Sequence, residues 1–445
     1  MRNNLKTITM ALLAALFLPA GTAFPEEAVK RLSLEESVSL ALKNSVVLHA
    51  VQEGVREAEA RRKEAFSGFL PKFSTSYSFT RLNTPPSFNF PGFPPIPPST
   101  VITGTEDNYN WALELRQPLF AGGGILAGYE ISRIGEDIAR NAEKTAQLDV
   151  VKEIRVAYFR ILKAERIQEV ARQTVEGLQT HRNQAQILYD NGLIPRNDLL
   201  FASVELANGN QFLLRAQNGV ELAKAGLNTL LRWEINTPLE VEDVLVYRPF
   251  EQTWEDCLKA ALKDRPEIRI SDLQVDQTRK VVKQARSEYF PNVNFIGNYA
   301  RYGDEPDVSG SAYKNQEGWY LTVVANCNIW EGGRSQNRVE AGLSREKQAV
   351  DASLNVRDRI TMELKGAYLG LREAEKQIPT AREAVAQAEE NFRITTERYK
   401  EQVARTADVI DAQTILTRAK SDYYNALGDY NISLAALERA MGLAP

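Results

Sequence analysis

The chain has 445 residues, a net charge of −4 and only two cysteines, and these values exclude several classes of protein. The weak negative charge argues against nucleic acid as a partner. Cys257 and Cys327 lie at non-equivalent points of the chain, so we expect two isolated thiols rather than a disulfide framework. No stretch after residue 23 approaches about 18 uninterrupted apolar residues, so the sequence predicts no membrane-spanning helix.

Residues 1–23 have the composition of a secretion signal. Arg2 and Lys6 give a positive start, and the apolar run that follows is too short to span a bilayer. Small residues precede an expected cleavage after Ala23, which would lower the net charge from −4 to about −6. No cysteine follows that point, so lipid attachment is not expected there. The sequence therefore predicts an exported protein.

The remainder of the chain is one unit written twice. Residues 32–71 recur at 252–291, and residues 109–231 recur at 319–441. We therefore predict a first structural repeat over residues 24–245 and a second over residues 246–445. A unit of about 210 residues is too long for a solenoid repeat and indicates two halves related by an approximate symmetry axis.

Period-2 alternation predicts two strands in each half, over about 72–84, 105–120, 292–303 and 317–330. Aromatic and aliphatic residues occupy one face of these strands, among them Phe73, Trp111, Tyr299 and Trp319. Each run has about ten residues, which is the length of a tilted transmembrane strand. Taken alone, the pattern also fits a half-buried sheet in a soluble protein.

The segment between the first two strands is rich in proline, and we expect it to be an outer loop. Seven prolines lie between Asn83 and Thr100, and they predict that this segment has no regular structure. Its counterpart, Gly303 to Asn315, is shorter and polar.

Long helices are predicted over about 124–190, 196–233, 334–400 and 405–441. From Val150 to Leu178 apolar and small residues recur at alternating spacings of four and three, which indicates a heptad seam with left-handed coiling. Pro379 is expected to kink the third of these helices. Four strands cannot close a transmembrane barrel, because about eight is the minimum, so the chain is expected to oligomerise.

No catalytic, cofactor-binding or metal-binding constellation is found in the sequence, so no enzyme is predicted. His49 and His181 each lack ligand partners at a suitable spacing. The glycines at 122–124 and 332–333 lie between a strand and a helix, but neither group continues as a phosphate loop. We expect them to give the backbone freedom at that junction.

Four motifs in this order resemble the TolC-type outer-membrane efflux protein family, and the resemblance covers essentially the whole mature chain. They are the duplicated opening at 32–44, Phe69-Leu-Pro before the first strand, Gln117-Pro-Leu-Phe-Ala-Gly-Gly after the second, and the turn that begins Tyr189-Asp-Asn-Gly-Leu-Ile-Pro.

The resemblance implies an α+β membrane protein in the bacterial outer membrane that extends into the periplasm. It implies a homotrimer with a twelve-stranded β-barrel in the outer-membrane lipid, continuous with a long helical barrel. It also implies an exit duct for an inner-membrane pump with its periplasmic adaptor, or for a type I secretion system, with no cofactor. The alternative is a periplasmic coiled-coil adaptor or structural protein that only touches the membrane.

Asp408 and Asp411 are candidates for an acidic ring at a periplasmic gate. They stand three residues apart at the start of the last helix and therefore share a face. Three chains would bring six carboxylates together around an axis, and the stretch is similar to the acidic constriction of the family. The alternatives are an ordinary first-turn aspartate for Asp408 and a solvated surface residue for Asp411.

Two further sets of residues lie at the predicted helix tips. The resemblance implies links that hold the tip closed, formed by Asn197, Asp198, Tyr399 and Arg405. The turns at 190–196 and 400–405 are expected to contact the adaptor, through Asn191, Gly192, Pro195 and Gln402.

Overall fold

The computed structural model describes residues 30–443, so the predicted secretion signal lies outside the described residues. The first half contains β1 (Lys30–Leu32), α1 (Leu34–Asn44), α2 (Val46–Ser67), β2 (Lys72–Arg81), β3 (Ser87–Phe90), β4 (Ser99–Ile102), β5 (Asp107–Ala121), α3 (Gly124–Asp190) and α4 (Arg196–Leu231). The short strand β6 (Leu239–Val241) ends the first half, and the second half contains α5 (Trp254–Asp264), α6 (Pro266–Arg286), β7 (Asn292–Gly303), β8 (Glu317–Asn326), α7 (Arg334–Lys400) and α8 (Thr406–Met441).

The helices and the long strands of the two halves match one to one. Helices α3 and α7 both have 67 residues, and α4 and α8 both have 36. Ser33 and Thr253 begin α1 and α5 with the same capping box, in which the hydroxyl accepts from the third helical N–H. Gly123 and Gly333 precede the long helices with the same left-handed φ of 83°.

The long helices pack along the seams that their spacing predicts. In α7 the buried positions include Ile360, Leu364, Leu371, Ala374 and Ile378. The helix continues without interruption through Pro379, which is exposed. Within residues 30–443, no helix combines the length and the apolar character that a membrane span requires.

The four main strands form one antiparallel sheet in the order β2-β5-β7-β8. Leu113 is directly opposite both Thr75 and Tyr299, and Tyr299 is opposite Trp319. Because directly opposed residues share a face, most aromatic residues of the four strands lie on one side, whereas Tyr302 and Tyr320 lie on the other. Small and polar residues occupy the other side, where Ser76, Ala112, Ala300 and Gly318 follow one another across the sheet.

The proline-rich loop contains a hairpin, so the prediction that this segment lacks regular structure was wrong. Strands β3 and β4 pair in antiparallel fashion, with Phe88 opposite Val101. The seven prolines lie before and between the two strands, and neither four-residue strand contains one. Because proline removes a hydrogen-bond donor only at its own position, the stretches without proline remain able to pair.

The main core lies in the middle of the helical body, where α1 and α5 pack on α3, α7 and α8. Tyr158 is fully buried, and its hydroxyl donates to the carbonyl oxygens of Leu32 (3.0 Å) and Glu242 (2.9 Å). It thereby fixes the two-stranded parallel sheet of β1 and β6 against α3. Tyr430 of α8 is also fully buried and donates to the carbonyl of Arg248.

A buried ion cluster joins four helices beside this core. Glu267 accepts from Arg265 at 2.7 Å and from Arg439 at 2.8 Å, and Arg439 also reaches Asp149 of α3 at 2.7 Å. Arg265 in turn contacts Glu363 of α7 at 3.1 Å. Burial opposes the charge of Glu267, but hydrogen bonds and the charges of Arg265 and Arg439 outweigh it and lower its pKa to about 2.

We predict that Glu267→Gln destabilises the helical body by about 3 kcal/mol at pH 7, because it leaves two buried guanidinium groups without their shared anion. The folded-state pKa lies below the unfolded value of 4.5, so the charge of Glu267 contributes fully above about pH 4.5. The contribution is lost as the pH falls towards about 2, and the difference between wild type and variant should narrow over that interval. Thermal unfolding followed by circular dichroism in detergent measures both effects.

Glu363→Gln is the matched control for this prediction. Its side chain is 47% exposed and meets only Arg265 of the two arginines, so we expect a much smaller loss of stability. Equal losses from the two variants, or a loss that does not depend on pH, would contradict the account of the cluster.

Candidate functional site

The far ends of the long helices form two equivalent turns. The same three backbone hydrogen bonds close each of them: Asn191 to Ile187, Gly192 to Tyr189 and Leu193 to Leu188 in the first, and Glu401 to Glu397, Gln402 to Tyr399 and Val403 to Arg398 in the second. Pro195 and Arg405 then begin the returning helices α4 and α8 as N-cap residues. The duplication therefore extends to the backbone geometry of the tips.

The two turns differ at the residue that must adopt a left-handed conformation. Gly192 has a φ of 74°, and its counterpart Gln402 has a φ of 60°. Glycine adopts this conformation without steric cost, whereas a residue with a Cβ atom does not. The second turn is therefore strained where the first is relaxed.

Each turn also exposes an apolar side chain that the sequence analysis did not single out. Leu193 is 54% exposed and Val403 is 65% exposed. They follow the left-handed residues directly and lie at equivalent positions of the two halves. An apolar residue next to the turn in both copies was the signal in the sequence that could have identified them.

Asp408 and Asp411 are both exposed on α8, whereas Val409 and Ala412 between and beside them are buried. The acidic pair therefore lies on the side of α8 that faces away from the other helices of the same chain. One carboxylate oxygen of Asp408 accepts from the backbone N–H of Arg405 at 2.8 Å. Asp408 therefore stabilises the first turn of α8, which is the alternative role given for it in the sequence analysis. Its other carboxylate oxygen takes no part in this hydrogen bond.

The four residues predicted to close the tip are not joined by side-chain hydrogen bonds within the described chain. Tyr399 is buried, and its hydroxyl lies 3.3 Å from the hydroxyl of Thr406. Burial raises the pKa of Tyr399, and the nearby charge of Asp198 adds to this effect. Asn197 and Arg405 are exposed. The charge of Asp198 therefore acts on Tyr399, and the links between the four residues stay a prediction.

His181 belongs to the packed interior of the tip, which the sequence analysis missed. Its ring lies 4.8 Å from the ring of Tyr399, and burial lowers its pKa to about 4. It is therefore neutral at neutral pH. The buried positions of α3 beyond Ala171 are Thr174, Leu178, His181 and Ala185. The heptad seam predicted from the sequence passed through Val175 instead of Thr174, so the observed seam is shifted by one residue at this point. This change of phase is what places the histidine inside.

The other candidate features of the sequence are structural. Cys257 is a buried free thiol and Cys327 an exposed one. Among residues 30–443, no three histidine, cysteine or acidic side chains are grouped so that they could hold a metal ion. At the first strand-to-helix junction, a Cβ atom on Gly122 would lie 2.4 Å from the carbonyl oxygen of Ser287, so close approach as well as a φ of 58° requires glycine there.

Comparison with known proteins gives one family and several relatives. The profile of the family described as outer membrane efflux protein matches residues 37–231 and 257–443, one segment in each half. The chain is 22% identical over 435 residues to the outer membrane efflux protein BepC of Brucella suis biovar 1 (strain 1330), covering 97% of this chain and 90% of BepC.

A second relative and a solved structure agree with this. The chain is 22% identical over 425 residues to the cobalt-zinc-cadmium resistance protein CzcC of Cupriavidus metallidurans, covering 94% of this chain and 92% of CzcC. The structure of the CmeC outer membrane channel of Campylobacter jejuni superimposes with a TM-score of 0.78 at 20% identity, covering 92% of this chain and 85% of CmeC. This likeness shows a shared fold.

We predict that Gln402→Gly stabilises the second tip turn by about 1 kcal/mol, because glycine removes the cost of the left-handed backbone. Gly192→Gln, the reciprocal change, should destabilise the first turn by about the same amount. Amide hydrogen exchange of the tip residues measures the local opening free energy in both variants. Unchanged protection in both would show that the turns do not hold this conformation.

Proposed function

Because the chain belongs to the outer membrane efflux protein family, we propose that three copies form one exit duct that carries small molecules or proteins out of the periplasm. The predicted family is confirmed. The protein is a channel of the bacterial outer membrane that extends into the periplasm, and it is not an enzyme.

The open edges of the sheet are the observation that carries the proposal. Strands β2 and β8 each pair with one neighbour, so each leaves one row of backbone hydrogen-bonding groups without a strand partner in the described chain. Such edges are not tolerated in lipid, and four strands are too few to close on themselves. Three copies give twelve strands, and β8 of each copy then pairs with β2 of the next.

The two faces of the sheet support its placement in the membrane. Side chains on the apolar face are widely exposed in the single chain: Phe73 69%, Phe79 52%, Trp319 72%, Leu321 63% and Val323 59%. The opposite face carries mainly small and polar residues. In the proposed trimer the first face meets lipid and the second lines the water-filled lumen.

The helices form the periplasmic part of the duct. A helix of 67 residues is about 100 Å long. Within one chain α3 packs on both α4 and α8, and α8 packs on α7, which gives a layer in the order α4-α3-α8-α7 with free sides at α4 and α7. Three such layers close into a hollow body of twelve helices.

The tips are proposed to meet the partners of the channel. In a tripartite efflux system these are a periplasmic adaptor and its inner-membrane pump, and a type I secretion system uses an equivalent arrangement. Asn191, Gly192, Pro195 and Gln402 lie at the ends of the helices farthest from the strands, and the exposed Leu193 and Val403 add apolar surface beside them. The periplasmic adaptor considered above as an alternative has no observation in its favour, since the channel family matches both halves.

We predict that the wild-type protein forms a trimer in the outer membrane and that Leu113→Arg prevents its assembly. Leu113 lies on the apolar face, and arginine near the bilayer midplane costs about 2–4 kcal/mol. Sucrose-gradient fractionation followed by mass measurement in detergent tests both statements.

Ser76→Arg is the matched control. Ser76 is opposite Ala112, the neighbour of Leu113 in the strand, so the two arginines lie at nearly the same depth on opposite faces. The Ser76 variant should assemble normally. A wild-type protein that is only monomeric or dimeric would contradict the proposed function, and equal effects of the two arginines would contradict the proposed faces.

The acidic pair is proposed to ring the periplasmic entrance. If Asp408 and Asp411 of three chains surround the axis, divalent or trivalent cations should block the channel by bridging carboxylates of different chains. The proposed links of Asn197 and Asp198 to Tyr399 and Arg405 would hold the entrance narrow.

We predict that the double variant Asp408→Asn, Asp411→Asn loses the cation block and much of the cation selectivity, measured by single-channel recording in planar bilayers. Asparagine is chosen because its side-chain oxygen can still accept from the N–H of Arg405 and preserve the start of α8. Asp422→Asn, an exposed carboxylate farther along α8, is the control and should leave the block intact. A double variant that keeps block and selectivity would place the gate elsewhere.

A further inference from the structure

We propose that His181 makes the contact of α3 with α7 and α8 near the tips sensitive to protons, so that acidification of the periplasm loosens this contact. The inference rests on the proposed function, because it treats the tips as the periplasmic end of a duct, and it adds a chemical signal to which that end responds. We call this contact the distal joint; it is formed by Thr174, Gly177 and His181 of α3, Tyr399 of α7, and Gln413 and Thr417 of α8.

The distal joint contains polar contacts between helices. The hydroxyl oxygens of Thr174 and Thr417 are 2.8 Å apart. One turn nearer the tip, a Cβ atom on Gly177 would lie 2.9 Å from Oε1 of Gln413, so this polar side chain lies directly against α3. The main core, in contrast, joins the same helices through aliphatic side chains such as Ile161. Polar contacts bring little net stability, because each replaces hydrogen bonds to water, so the helices separate more easily here than at the main core.

His181 is the buried imidazole of the distal joint. It is 6% exposed within a single chain, and its ring lies 4.8 Å from the ring of Tyr399. Its Nε2 atom has no hydrogen-bond partner among the described residues. Four residues beyond Gly177 on α3 and four before Gln413 on α8, His181 lies level with Val409, which is 2% exposed. A protonated ring at this position would lack both water and a partner for one of its two N–H groups.

No neighbouring charge offsets this cost. Burial is what lowers the pKa of His181 to about 4. The titratable group in contact with it is Tyr399, which is uncharged near neutral pH because burial raises its pKa. The charged side chains nearby on the four helices are all at least partly exposed: Arg182 on α3, Asp198 and Glu205 on α4, Arg398 and Lys400 on α7, and Asp408 and Asp411 on α8.

The direction of the pH effect follows from the two forms of the distal joint. When the helices separate, the ring of His181 is hydrated and its pKa returns towards the ordinary value of 6.5. The separated form therefore binds a proton at a pH at which the joined form does not. The joint is fully stable above about pH 6.5 and weakens as the pH falls towards about 4. Between pH 7.5 and pH 5, the ratio of separated to joined forms should rise about 30-fold in each chain.

The buried imidazole occurs once in each chain. His49 is the other histidine, and its side chain is 72% exposed on α2, near the opposite end of α3 from the tips. The residue that corresponds to His181 in the second half, 210 positions later, is Asn391, which is exposed. An imidazole response at the tips can therefore come from His181 alone. At pH 5 the buried ion cluster does not contribute, because the pKa of Glu267 is about 2.

Amide hydrogen exchange of the full-length protein in detergent, at pH 7.5 and pH 5, tests the inference. After correction for the intrinsic exchange rates, we expect the opening of residues 174–190 and 396–413 to rise about 30-fold at pH 5 in the wild type. His181→Phe retains a flat ring beside Tyr399 but cannot take a proton, so the rise should disappear. His181→Gln is also uncharged and covers the case in which the phenylalanine variant fails to fold. His49→Gln is the matched control and should respond as the wild type does.

Single-channel recording in planar bilayers connects the distal joint to the duct. Acid on the side of the tips should increase opening of the wild type but not of His181→Phe, and titration of Asp408 and Asp411 is common to both proteins. A wild type whose tips exchange no faster at pH 5, or a rise that persists in both His181 variants, would overturn the inference. A wild type that shows the rise but forms neither trimer nor channel would overturn the proposed function and leave the proton-sensitive contact standing.

Discussion

Backbone N–H and C=O groups in a bilayer must find their hydrogen-bond partners within protein. This requirement determines how the open edges of the four-stranded sheet can be accommodated in a membrane. The sheet ends on β2 at one side and on β8 at the other, and both edges are open in a single copy. A soluble protein would cover such edges with charge, proline or a helix. Here they instead carry exposed aromatic side chains of the apolar face, and both edges of the sheet lack a strand partner in the described chain.

The duplication explains most of the architecture but not its energetics. Arg265 and Arg439 hold the buried ion cluster in the second half, whereas the equivalent positions in the first half are Ser45 and Thr229. Removing charges from water is costly, so the cluster is better understood as fixing how α3, α6, α7 and α8 meet than as a source of net stability. The two halves therefore share their backbone architecture, but only the second half contributes these buried arginines to the helix junction.

Much of the fold could be read from the sequence, because strands and helices of this kind have strong periodicity. Strand β7 and helices α3 and α7 have the predicted bounds, since a glycine precedes each helix and Pro291 and Gly303 bound the strand. The end of β8 was overestimated, because the strand ends at Asn326, opposite Asn292, where its partner β7 begins. The hairpin in the proline-rich loop was missed, since a proline count averages over a segment and ignores where the prolines fall.

The site was harder to predict for a different reason. Spacing places Asp408 and Asp411 on one face, but it does not say which face of a helix meets its own chain and which remains open. His181 was set aside as a lone polar residue, because a shift of one position in the seam decides whether a side chain is outside or inside. Leu193 and Val403 lie in turns, where there is no periodicity to interpret.

The continuity of α3 and α7 has a mechanical consequence. Both helices run without a break from the strands to the tips, and the main core holds α3 near Tyr158. The part of α3 beyond that pivot, to Asp190, is a lever arm of about 48 Å at about 1.5 Å per residue. A rotation of about 5° about the pivot moves the tip by about 4 Å, without melting a helical turn. A small rotation near the middle of the molecule is therefore sufficient to displace the tip of α3 while the helix stays intact.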